Sequence, residues 1–154
     1  MIQRIQTIYL LVITALIAIT LFVPIAYFAG DAAQVDLYAF GLKTPSGETI
    51  QPTLYMGILL ALACALPFVI VFLYKYRLLQ LRLCVVEMVL LVGSEVIMAI
   101  YYFLGQRFFA EFAHHTQGMK VTIALPLVCL LFAYLAARAI FHDEMLVRSL
   151  DRIR

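Results

Sequence analysis

Four apolar runs, Ile5–Phe28, Leu54–Tyr74, Leu83–Leu104 and Val121–Phe141, fill most of this 154-residue chain. As a helix, each is long enough to cross a hydrocarbon layer of ~30 Å, which takes roughly 20 residues. The expected fold is therefore an all-α membrane protein. Its four transmembrane helices would form an up-down bundle, one domain over residues 1–154, because no gap between runs is long enough to hold a second core. Composition agrees: 66% of residues are hydrophobic and 13% charged, where soluble domains have about 45–50% and about 25%.

The charges are sorted between the gaps. Arg4 at the N-terminus, Lys75, Arg77 and Arg82 in the second gap, and Arg138, Arg148, Arg152 and Arg154 at the C-terminal end make up 8 of the 11 Lys and Arg residues. The first and third gaps hold only Lys43, Arg107 and Lys120. Cytoplasmic segments are enriched in Lys and Arg, so the expected topology is multi-pass with both termini in the cytoplasm. A formal net charge of +2 gives no case for nucleic acid. The first run resembles a secretion signal at its start, but Ile5–Val23 exceeds the roughly 7–15 residues of a signal core and is read as an uncleaved helix. No lipidation motif is found.

Cys64, Cys84 and Cys129 all fall inside apolar runs, as buried small hydrophobes do. No cysteine lies in the outer segments, where an oxidising compartment would make a disulfide useful. In the first outer segment, 30–53, Val35, Leu37 and Ala39 alternate with Asp36, Tyr38 and Phe40, and Thr44-Pro45-Ser46-Gly47 supplies a turn. A short β-hairpin capping the helices is expected there. The second outer segment, 105–120, contains Glu111-Phe112-Ala113-His114-His115. Glu and His three apart share a helix face, as metal ligands can, but no second motif completes a site. These histidines are read as solvated or interfacial, with pH sensing as an alternative.

The third run carries two carboxylates, Glu87 and Glu95. An acid near the centre of a span costs about 2.5–3.5 kcal/mol on insertion scales. Glu87 lies about 7 Å along the helix from Arg82 and is expected to reach the inner interface or to pair with Arg138. Glu95 lies near mid-run, beyond the reach of any Lys or Arg. It is expected to be neutral or to face a wet cavity, with Thr14 or Tyr134 as hydrogen-bond partner. Eight residues at 100° each leave the two acids about 80° apart. The intramembrane polar candidates are thus Glu87, Glu95 and Thr14, either as a proton or cation path or as internal structural bonds. No internal repeat of the transporter kind is seen.

Beyond the fourth run, residues 142–154 keep helical spacing. Leu146, Leu150 and Ile153 form a stripe, and Glu144 and Arg148 stand in the favoured i,i+4 order. An amphipathic cytoplasmic extension of the fourth helix is expected. Its arginines suit anionic lipid headgroups, and its candidate interaction surface comprises Arg4, Arg138, Asp143, Glu144, Arg148, Asp151, Arg152 and Arg154.

Both ends of the chain carry a resemblance. Met1-Ile2-Gln3-Arg4-Ile5-Gln6-Thr7, with Arg138-Ala139-Ile140, Asp143-Glu144, Leu146-Val147-Arg148-Ser149 and Asp151-Arg152-Ile153-Arg154, resembles the four-helix inner-membrane family catalogued as domain of unknown function 4293. The resemblance covers the whole chain, with specific motifs at the termini and mainly hydropathy between them. It implies a bacterial inner-membrane location and no assigned reaction. It also draws attention to the cytoplasmic face, where the signature residues lie. No nucleotide loop, metal-ligand set or nucleophile triad is found, so no catalytic residue, cofactor or metal is assigned. The leading expectation is an accessory or scaffold subunit that binds a membrane protein complex through its cytoplasmic tail. The alternative is a small proton-coupled carrier or channel using Glu95.

Overall fold

The structure, a computed structural model, describes the backbone of residues 2–30, 34–73, 76–109 and 115–151. Side chains are described within these ranges except at 2–4, 30, 108–109, 115 and 148–151. Helix α1 covers Ile2–Phe22, α2 Leu54–Phe72, α3 Arg77–Phe109 and α4 Leu125–Asp151. A 3-10 turn, Val121–Ala124, leads into α4. All four helices are long and apolar enough to cross a membrane, and the chain is a multi-pass membrane protein.

The all-α up-down bundle expected from the sequence is overturned by a five-stranded antiparallel sheet. Its strands are β1 (Ala26–Gly30), β2 (Gln34–Tyr38), β3 (Gly41–Lys43), β4 (Thr49–Pro52) and β5 (His115–Met119), in the order β4-β3-β2-β1-β5. Four strands come from the segment between α1 and α2. The fifth comes from between α3 and α4 and pairs with β1 from Ala26↔Met119 to Gly30↔His115. The first apolar run therefore does not continue as helix to Phe28. Pro24 disfavours the helical conformation for the residue before it, α1 stops at Phe22, and Ala26–Gly30 of the run becomes β1. The expected turn is present: Gly47 N–H donates to the Thr44 carbonyl at 2.9 Å, and Gly47 has φ +88°, a left-handed conformation that favours glycine.

Alternation decides how the sheet sits. Val35, Leu37 and Ala39 are buried, as are Ala26 and Phe28, while Asp36, Tyr38 and Tyr27 between them are only partly covered. The apolar face lies on the bundle end: the Phe28 and Tyr102 rings are 5.7 Å apart. A Cβ on Gly105 of α3 would lie 2.7 Å from the Phe28 ring, so only glycine allows this seat. Thr53 ties the sheet to α2. Its hydroxyl donates to the carbonyls of Tyr38 (3.2 Å) and Ala39 (3.0 Å), and its N–H to that of Phe40.

Within the bundle each helix packs on the next, and α4 closes on α1. The inward residues recur at spacings of three and four, or their sum: Leu10, Ile13 and Ile17 in α1; Met56, Leu60 and Ala63 in α2; Cys84, Leu91 and Met98 in α3; Cys129, Ala133 and Ala136 in α4. The opposite faces are also apolar, with Leu11, Ile58, Val89 and Leu131 exposed. A helix apolar all round belongs in lipid, and small residues such as Ala133 and Ala136 let helices approach closely there.

Candidate functional site

Lengths place the polar groups. At 1.5 Å per residue α1 and α2 are about 31 and 28 Å long, close to the hydrocarbon thickness, whereas α3 and α4 reach about 50 and 40 Å. Helix α3 starts level with the end of α2, so its surplus rises to the sheet. Helix α4 starts under the sheet, so its surplus leaves at the other end.

Along α3 three buried polar residues stand seven apart: Gln80, Glu87 and Ser94. Seven residues turn the helix by nearly two full turns, so they share its inner edge. Gln80 Nε2 donates to the Ile70 carbonyl at 3.1 Å and holds the end of α2. Ser94 Oγ donates to Leu91 O at 2.8 Å within its own helix. Glu87 is 0% exposed, and neither carboxylate oxygen has a hydrogen-bond partner among the described residues. The thiols of Cys64, Cys84 and Cys129, on α2, α3 and α4, lie within electrostatic range of it. From α1, the carbonyls of Thr14 and Ile13 accept from Cys64 Sγ (3.7 Å) and Cys129 Sγ (3.9 Å).

This corrects two expectations. Glu87 neither reaches an interface nor pairs with Arg138, which is exposed on α4. Glu95, one residue and 100° beyond the Ser94 edge, is only half-buried. Its Oε2 has no partner among the described residues. Thr14 donates to Leu10 O at 3.0 Å in its own helix, and Tyr134 is exposed. The inward carboxylate is Glu87; its seven-residue spacing from Gln80 and Ser94 shows in the sequence that the three share an edge, but not that this edge faces the bundle.

At the end away from the sheet, Gln6, 6% exposed, donates from Nε2 to Asp143 Oδ2 at 2.6 Å. Arg77 donates to the Asp143 carbonyl at 3.3 Å. Asp143, expected on an interaction surface, instead joins α1, α3 and α4. Beside it a groove of about 580 Å³ runs between the start of α3 and α4, walled by Tyr76, Arg77, Leu79, Arg82, Glu144 and Val147. Helix α4 is unbroken to Asp151. The side chains of Arg4, Arg148 and Asp151, and all of Arg152 and Arg154, lie outside the described residues, as do Glu111 and His114. His115 opens β5. Among the described residues no group of three or more His, Cys, Asp or Glu could hold a metal ion.

On the sheet, Lys120 Nζ lies 3.4 Å from Asp36 Oδ2, and Lys43 stands over the Tyr38 ring at 5.5 Å. These pairs of opposite charge and cation on aromatic are not visible to a reading that treats Lys43 and Lys120 as isolated cations.

A family profile described as a domain of unknown function, DUF4293, matches residues 2–153. No curated protein matches the chain.

Proposed function

The chain belongs to the DUF4293 family, whose description carries no activity, and from that premise we propose that it is an accessory or scaffold subunit of a membrane protein complex, bound through its C-terminal helix. One observation carries this reading. Helix α4 outruns the hydrocarbon by about 10 Å, and its last described turns leave Phe141, Met145 and Leu146 exposed on one broad face. An apolar stripe on a helix leaving the bilayer suits insertion into a partner's groove. The resemblance implies a bacterial inner membrane, and the distribution of Lys and Arg supports both termini on its cytoplasmic side, which puts the sheet outside. The test is purification of the full chain in mild detergent. A membrane partner should co-purify in fixed ratio and be lost on deletion of residues 146–154. A chain that runs alone, with cells indifferent to the deletion, overturns the reading.

Glu87 favours a second reading, a small proton-coupled carrier. Ionisable groups inside spans commonly mark proton routes, and this one is fully buried with both oxygens unpartnered among the described residues. Reconstituted protein should then carry a pH-dependent flux that Glu87→Gln abolishes; unchanged flux removes this reading, and the same test applies to Glu95→Gln.

A further inference from the structure

We propose that the groove between the start of α3 and the tail of α4 binds the headgroup of one anionic phospholipid. The depth is right. Helix α2 spans about 28 Å and ends at Phe72, so Tyr76, four residues on and exposed, stands at headgroup level, where tyrosine is favoured. The charge is right as well. Arg77 and Arg82 line the groove, and a guanidinium matches a phosphate oxygen pair with two parallel N–H donors. Arg77 is oriented by one bond to a neutral acceptor, the Asp143 carbonyl. That bond uses one of its five N–H donors, and no carboxylate pairs with Arg77 among the described residues. Arg82 is exposed and makes no ion pair among the described residues. Glu144, the one carboxylate on the wall, already has an interaction of its own and is outnumbered by the two arginines.

The apolar surface completes the site. Val85, Val86 and Val89 are exposed on α3 within two turns of Arg82, on the side toward mid-membrane, and form a track for acyl chains. Val147 closes the groove from α4. A headgroup seated there touches two helices, which distinguishes a site from the diffuse attraction of any cationic surface. The charges of the site, Arg77 and Arg82, stand on α3 and outside the segment whose deletion tests the partner reading, so the two tests are separate.

The test uses the full chain, purified in mild detergent and offered phosphatidylglycerol or phosphatidylethanolamine, with bound lipid counted by native mass spectrometry. One phosphatidylglycerol per chain should be retained in preference to phosphatidylethanolamine. Arg82→Gln should weaken that retention about tenfold, the loss of one hydrogen-bonded charge, while Arg82→Lys restores part of it. Arg107→Gln, an equal charge change at the sheet end, should leave retention unchanged. Equal retention of both lipids, no loss with Arg82→Gln, or the same loss with Arg107→Gln overturns the proposal.

Discussion

The two ends of the bundle are closed by different means. At one end both inter-helix segments build a sheet, and β1 exchanges backbone hydrogen bonds with strands on either side. At the other end the described closure is made by side chains: Gln6 on Asp143, Arg77 on the Asp143 carbonyl, Gln80 on the Ile70 carbonyl. A backbone ladder fixes many groups at once and resists rearrangement. Single side-chain bonds, each worth about 0.5–1.5 kcal/mol net or up to about 3 with a charged partner, can be exchanged one at a time. The sheet end is therefore the fixed frame, and the end with the tail and the arginine groove is the adaptable surface.

Breaking the frame should cost most. Gly105→Leu drives a side chain into the Phe28 ring, which is 1% exposed and has nowhere to go. The expected loss is about 3 kcal/mol, the upper range for overpacking, read as a fall in thermal midpoint in detergent; an unchanged midpoint would mean the sheet is not seated on α3. Glu87→Leu should act in the opposite direction. Replacing a buried carboxyl that has no partner among the described residues with an apolar side chain removes a desolvation penalty of about 1–3 kcal/mol, so the midpoint should rise. A fall would show that the carboxyl has a partner in the membrane.

At the adaptable end, Asp143→Ala strands the buried Gln6 amide and should cost about 2 kcal/mol, less than the glycine change. Hydrogen exchange should rise at the ends of α1 and α4 and stay constant in the sheet. Protection lost equally in the sheet would erase the contrast between the two ends. The smallest effect is expected from Lys120→Met. Its pair with Asp36 is partly exposed and should be worth about 0.2–1 kcal/mol, measured by the same melt.

The four spans were legible because twenty apolar residues admit few other fates in a chain this poor in charge. The strands were legible only where the alternation was local, in Val35–Phe40 and the turn at Thr44–Gly47. Strand β1 hid at the end of an apolar run that hydropathy assigns to the membrane, and β5, His115-Thr-Gln-Gly-Met119, has no apolar alternation at all. It is a strand because β1 lies beside it, with Gly118 leaving room under the Tyr27 ring. Of the two carboxylates, depth was readable and azimuth was not. A helical wheel gives the 80° between Glu87 and Glu95, but only the neighbouring helices decide which of them points inward. The role of Asp143 was hidden for a similar reason, since Gln6 is 137 positions away along the chain.

The strand order has a consequence for how the protein is made. Strands β1 to β4 are complete once residue 52 has been synthesised, but the second edge of β1 waits for residues 115–119, delivered only after α2 and α3 have followed α1 into the membrane. Until then that edge is an open template for any extended chain. Completion of the sheet thus reports that the third helix has been inserted, and an insertion failure at α3 leaves a half-made protein carrying an exposed, aggregation-prone strand.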